Sequence, residues 1–360
     1  MIRHDSYKTF ISILFSLFIV SCSQKTPTTI NEKEEAVMEN DTTLFEIAGK
    51  NGYRIEYGFM NSRGDVIIRP QFDEVKNFSE GLAAVKIGDK WGYIEKTGKR
   101  VIEAVYEEAY EFSNGLAVVK VVDRGYGYIN RHGERVIVPN YSTAMPFING
   151  LAVVSIYNLD FNCQSFGYIN TKGEMVIEPK FKEAFFFSDS LAMVRPINYI
   201  SNVYGYINMN GEIVIKPHYV RAGAFSEGLA RVAKDYTSKY GFIDKKGNMI
   251  IEPQFDDAGA FVEGLAWVET NGEYGFINKS GDIVITPQYD EAERFSEGLA
   301  PVKMDGKWGF IDKNGVMIIQ PKYDYVAGFS NGLSLVGIKN WGKLGYINKD
   351  GVEVYSWQYH

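Results

Sequence analysis

From about residue 43 to the C-terminus, three short apolar runs alternate with polar, turn-forming runs, and the set then starts again. One set reads "LAPV" (299–302), "GFID" (309–312) and "VMII" (316–319). Each run is four to six residues long, too short for a helix and right for a strand. "LAxV" and "GYIN" are read as two strands of a hairpin. The Asn/Asp-x-x-Gly that follows is a turn, because Asn or Asp bonds the backbone two residues on and Gly takes a positive φ. "VI" and its flanks form a third strand, which Pro is expected to stop, since Pro cannot donate to a ladder.

The set recurs nine times. Its first Gly falls at Gly58, Gly92, Gly127, Gly167, Gly205, Gly241, Gly275, Gly309 and Gly345, spaced 34, 35, 40, 38, 36, 34, 34 and 36 residues apart. A second Gly follows six residues later in every unit, from Gly64 to Gly351, and Phe or Tyr always follows the first Gly. Twelve residues on comes Pro, replaced by Ala104 and Trp357 in two units; fourteen on, an aromatic; twenty on, the Phe of "FSEG" or a relative. These offsets hold without insertion. Length varies only between "LAxV" and the next "WG". A segment that stacks on neighbours cannot change length without losing register, whereas a hairpin tip in solvent can.

One unit of about 34 residues is too small to bury a core alone, so neighbouring units must share one. The pattern "GLAxV…KWGYIDxxGxxVIxPxYDxAxxFSE" resembles the WG-repeat (KWG-repeat) proteins of bacteria over about residues 43–360. The Trp itself stands only at Trp91 and Trp308. The resemblance implies a repeat architecture, often in exported proteins, and no common enzymatic activity. The expected fold is all-β: nine three-stranded units stacked as an open β-solenoid or superhelix, with Leu344, Trp357 and the degenerate start "TLFEIAG" as caps. A closed propeller-like ring is the alternative, disfavoured because propeller blades usually have four strands and about 40 residues.

The N-terminus reads differently. Arg3, His4 and Lys8 precede the apolar run Phe10–Val20, which is too short to span a bilayer and suits a signal-peptide core. "IVSC" resembles a lipobox, which implies cleavage before Cys22 and lipid on its sulfur. Residues 1–21 are thus expected to be a lipoprotein signal peptide, 22–42 a polar tether nearly free of aromatics, and 43–360 the repeat domain. Cys163 would then be the one remaining thiol, so no intrachain disulfide is expected. The formal net charge of −7 without a basic block excludes nucleic acid as an expected partner.

Any site chemistry has to stand in what remains after the repeat is subtracted. The four His (His4, His132, His218, His360) are scattered, so neither a metal site nor a triad is expected. Acidic pairs such as Asp73/Glu74 and Asp290/Glu291 recur at one repeat position, whereas acid–base catalysis needs one environment that separates two pKa values. Rings present in every unit are read as core rather than sugar platforms. The departures are better binding candidates: Tyr157 and Phe161 in the longest tip, Tyr199 in the next, and Trp267, where other units place a smaller or variable residue. The expectation is a non-enzymatic, cofactor-free binding or scaffold protein. It would be lipid-anchored in the bacterial envelope, on either face of the outer membrane, and would present its surface to an envelope protein or a surface glycan. An envelope hydrolase and a purely structural spacer are the rival classes.

Overall fold

The computed structural model describes residues 43–51, 54–159, 163–197, 202–338 and 342–358; the leader, Cys22, the tether, Phe161 and Tyr199 lie outside them. Thr42–His360 forms one compact unit. It is all-β. The first sheet has three antiparallel strands in the order β1 (Phe45–Asn51), β2 (Arg54–Met60), β3 (Val66–Phe72). The second has four: β4 (Glu74–Val75), β5 (Leu82–Ile87), β6 (Lys90–Glu95) and β7 (Arg100–Tyr106). The remaining units repeat this four-stranded meander, the fourth and fifth being joined through Met175–Ala184. The three-stranded unit expected from sequence therefore gains a strand. The two residues of β4 pair with Lys86 and Val85 and lie in what reads as a connector.

The Pro does not stop its strand. β7 and its equivalents run through that position with a bulge: Trp91 pairs with Tyr106 and Tyr93 with Ile102, so two residues of β6 oppose four of β7. The extra backbone folds over the first motif Gly. A Cβ on Gly92 would lie 2.5 Å from the Ile102 carbonyl oxygen, and one on Gly275 would lie 2.5 Å from the Ile285 oxygen. Only glycine allows that approach. Pro at the bulge of an edge strand removes a donor that would otherwise invite another strand. The second motif Gly has a different task. Gly98 sits at φ +85° and rests on Ile68 of the preceding unit.

Units meet through one repeated interface. Tyr93 is fully buried against Phe112 of the next unit, with ring centroids 5.0 Å apart. The pairs Phe59–Phe78, Tyr206–Phe225 and Phe310–Phe329 repeat the contact at 4.7–4.9 Å. Where the inner residue is Tyr, its hydroxyl donates to a carbonyl of the next unit, as Tyr206 does to Gly223 O at 2.7 Å. Ser226 Oγ donates to Phe261 O at 2.6 Å, and Ser79, Ser113, Ser188 and Ser296 do the same across their interfaces. The Ser-Glu-Gly turns add a further link. Glu227 at φ +52° and Gly228 at φ +90° form a two-residue turn of type I′ sign. The Glu227 carboxylate accepts from Gly264 N in the next unit at 3.1 Å and pairs with Lys279 at 2.9 Å.

The ends meet as well. Among the described residues there are nine apolar clusters, each shared by two units. An open stack of nine units would have eight. The ninth brings Phe45, Ile47 and Met60 of the first unit against Leu333, Tyr346, Val354, Tyr355 and Trp357 of the last. Phe45 and Tyr346 are 5.5 Å apart, edge to face. Gly64, at φ +88°, rests on Val354 as other second glycines rest on the unit before them. The tandem β-repeat holds, but its ends do not stay apart: the expected open solenoid is corrected to the ring alternative. No sheet closes into a barrel; the cycle is made by packing. Trp357 is thus a seam residue and not a cap. Phe45 explains why it could close. Other units place Ala at that position (Ala83, Ala117, Ala300), beneath the "FSEG" Phe; the first unit puts its own ring there.

Candidate partner-binding surface

Each unit has two ends. Glu95 pairs with Leu82, so the Ser-Glu-Gly and x-x-Gly turns lie together at one end. The hairpin tips, such as Gly88–Asp89, lie at the other. At the turn end Glu227, Glu263 and Glu297 tie neighbouring units by Glu–Gly–Lys links, and Asn114 and Asp189 accept from the equivalent glycine amide in other units. The tip end is where units differ.

At the root of each tip, one position on the short strand faces one on the next strand. In regular units this is an ion pair: Lys86–Glu74 at 2.5 Å and Lys303–Glu291 at 2.6 Å. The third and fifth units keep an ion pair here with added tyrosine partners, whereas the fourth, sixth, seventh and ninth lack it, Asp257 facing Glu269 in the seventh and Tyr325 facing Gly337 in the ninth. In the third, Glu108 accepts from the hydroxyls of Tyr110 and Tyr126 at 3.1 and 3.0 Å, with Lys120 at 3.5 Å. Burial, then the Glu108 charge, pushes the Tyr126 phenol well up. In the fourth, Thr143 and Gln164 bond the fully buried Ser155 Oγ at 2.7 and 2.5 Å. In the fifth, Arg195 and Tyr204 both donate to Glu183, Tyr204 at 2.5 Å. In the sixth, Ala233 replaces the cation, and Arg221 lies over the Tyr240 ring at 4.3 Å while donating to Ser238 O.

The tips above these roots are long. Tyr157 is 57% exposed and Leu159 85%. In the sixth unit Tyr236 is 74% exposed at the crest of a tip that Asp235 folds. The Asp235 carboxylate accepts from the hydroxyls and amides of Ser238 and Thr237 at 2.6–2.8 Å, bonds that hold it well below the usual carboxylate range. Such an Asx-type turn presents its central side chain on a fixed backbone. Below it lies a small cavity of about 230 Å³ lined by Tyr219, Ala233, Lys234, Ser238, Met249 and Pro253.

Of the expected candidates, Tyr157 stands in this tip region. Trp267 lies elsewhere. It is half-buried 5.5 Å from Tyr274 and packs across Gly259, whose Cβ would lie 2.4 Å from the indole nitrogen. Arg231 does the same over Gly223. Each large residue is matched by a glycine just after the adjacent short strand, so packing absorbs it. Phe161 and Tyr199 fall outside the described residues, and Cys163 is a partly exposed free thiol. The nine first glycines serve the bulge, as described. Tyr236 escapes the sequence reading; its signal is "KDYTSK", a longer tip carrying Asp two residues before Thr. Among the described residues no group of three or more His, Cys, Asp or Glu could hold a metal.

Several solved structures are similar to this chain at low sequence identity. BamB from Moraxella catarrhalis is 11% identical over 88% of this chain and 97% of its own, with a TM-score of 0.39. Kluyveromyces lactis Hsv2p is 10% identical over 70% and 98%, at 0.41. AztD from Citrobacter koseri, in its apo form, is 11% identical over 88% and 95%, at 0.37. No curated protein matches the chain. Eight segments match the WG containing repeat family: 57–91, 91–123, 126–159, 166–198, 204–237, 240–274, 274–308 and 308–340. With its repeats identified over most of its length, the chain belongs to the WG containing repeat family.

Proposed function

We propose that this is a non-enzymatic scaffold of the bacterial envelope that engages a partner protein through the hairpin tips of its fourth to sixth units. One observation carries the reading. The departures from the repeat gather on neighbouring tips and include Tyr157, Leu159 and Tyr236, all strongly exposed. Exposed aromatics on a braced backbone are the usual anchors of an interface. The turn end, by contrast, uses its charged groups on its own neighbours. In the same reading Cys22 carries lipid, and the protein sits at the outer membrane, on the periplasmic or surface face. Cofactors and nucleic acid have no part in it, and the membrane contact is through the lipid alone.

A photo-reactive amino acid in place of Tyr157 or Tyr236, in living cells of the native host, tests the reading. The expected result is a discrete cross-linked protein from both positions and none from Gln288, on the exposed outer strand. Equal products at all three, or none at the tips, overturn it. A product consisting of polysaccharide moves the assignment to a surface glycan. Cys22→Ala should shift the protein from the membrane to the soluble fraction; retention would remove the lipid anchor from the proposal.

A further inference from the structure

The sixth and seventh units depart from the repeat in opposite directions. In regular units the root of a tip balances one cation against one carboxylate, as Lys86 does with Glu74. The sixth unit lacks the carboxylate. Arg221 stands at that position and faces Ala233, and Val220 takes the place of Asp73 and Asp290. The seventh unit lacks the cation, and Asp257 faces Glu269. Burial, then the charges of Glu269, Asp257 and Glu291, push the Tyr274 phenol beside them up.

The two tips are neighbours. Asp256 pairs with Lys239 of the sixth tip and accepts from Asn271 N of the seventh at 2.9 Å. Arg231 donates to Asp257 at 3.0 Å. These pairs neutralise part of the opposite charge within the chain, and the rest is displayed. Among the described residues no ion pair reaches Arg221 or Lys234 on the sixth unit, or Glu269 or Glu273 on the seventh. Lys234 and Glu273 are exposed. Arg221 donates to Ser238 O, but its buried Nε has no acceptor. The one carboxylate of the sixth tip, Asp235, is turned onto the amides and hydroxyls of Thr237 and Ser238. The tips differ in height as well. Eight residues separate Val232 from its partner Gly241, and six separate Val268 from Gly275. Tyr236 stands on the longer tip.

A tall basic tip beside a short acidic one is a self-complementary surface. A two-fold axis lying in the plane of the tip end, between the two, sets the basic tip of each copy against the acidic tip of the other. We propose that the chain forms such a two-fold dimer, in which Lys234 of one copy meets Glu273 of the second and Tyr236 lies on the shorter tip. Arg221 and Glu269 at the roots extend the same match of sign. Both halves of the complementarity stand in this one sequence, and the exposed ring supplies the anchor. The contact does not draw on Tyr157 or Leu159, so it can fail without the partner proposed above, and the partner without it.

Sedimentation velocity on the full chain, purified in detergent, tests the dimer through charge swaps. The unaltered chain should self-associate, and less so as salt rises. A two-fold dimer makes the contact twice, so Lys234→Glu or Glu273→Lys alone reverses two pairs and should weaken association at least tenfold. A mixture of the two single variants should dimerise again, because every contact then joins opposite charges. The double variant Lys234→Glu/Glu273→Lys should do so by itself. Tyr236→Ser should weaken the dimer, and Tyr157→Ser should leave it unchanged. A chain that stays monomeric at the highest concentration measured overturns the proposal. So does association indifferent to the tip charges, as from anchors sharing a micelle, or failure of both the mixture and the double variant to recover the dimer.

Discussion

The decapeptide Gly306–Gly315 contains three glycines that should respond differently to alanine. Gly309 is the demanding one. A Cβ there would lie 2.4 Å from the Ile319 carbonyl oxygen, 2.8 Å from Pro321 N and 3.0 Å from the Gln320 carbonyl carbon. All three are backbone atoms, so no side chain can step aside. Restoring a C···O contact of about 3.3 Å moves the outer strand by about 0.9 Å. That strains the pairs flanking the bulge, Phe310–Ile319 and Trp308–Tyr323. Overpacking costs about 1–3 kcal/mol, and two weakened ladder bonds add about 0.5–1.5 kcal/mol each. Gly309→Ala should therefore cost about 2–6 kcal/mol. Gly315 sits at φ +81° with Ile285 at an ordinary 3.4 Å, so Gly315→Ala meets only the left-handed penalty of about 1–2 kcal/mol. Gly306, at φ +74° with open space around it, should cost no more than Gly315. Urea unfolding of the three variants, read as midpoint and slope, gives the order directly. If Gly309→Ala were the mildest of the three, the bulge would not be the reason for the first motif glycine.

Three further outcomes follow from the geometry. Phe45→Ala and Tyr346→Ala should couple by about 0.5–1.5 kcal/mol in a double-mutant cycle, and additive effects would mean that the ends do not meet. Ser226→Ala, which loses its bond to Phe261 O, should lower stability by about 1 kcal/mol by urea unfolding, while Phe225→Ala should cost about 3–5 kcal/mol; equal effects would contradict the packing described. Glu46 has a folded pKa above its unfolded value, so the folded state binds more protons between about pH 4.5 and 7, and stability falls as pH rises through that window. Glu46→Gln should therefore raise the melting temperature at pH 8 and have little effect at pH 4.5, and a stabilisation independent of pH would assign the effect to packing.

Strand positions and unit boundaries were legible in the sequence because one backbone solution is written nine times. Gly92, Gly98 and Ile102 each mark a place where steric demand leaves one choice. β4 was not legible: two residues, Glu74 and Val75, carry no periodicity and acquire strand geometry only against Lys86 and Val85. Ring closure was hidden for a related reason. It depends on Phe45 standing where other units keep Ala, which in one dimension looks like decay of the motif and in three dimensions fills the seam. Trp267 shows the converse. It looks like an addition until Gly259, eight residues earlier, is seen beneath it. Tyr236 was missed because its exposure follows from the turn that Asp235 folds, and the repeat template contains no such turn.

Closure also restricts how this protein can change. In an open array a unit can be gained or lost at an end and the rest keeps its geometry. Here each unit turns the chain by one ninth of a circle, and the last must arrive where the first began. A tenth copy would have to alter every interface a little or leave the seam apart. Duplication, the event that builds such sequences, is therefore penalised once the circle is complete, and variation is diverted to places that do not affect the angle between units. The hairpin tips are such places, and they are where the length differences among these nine copies have accumulated.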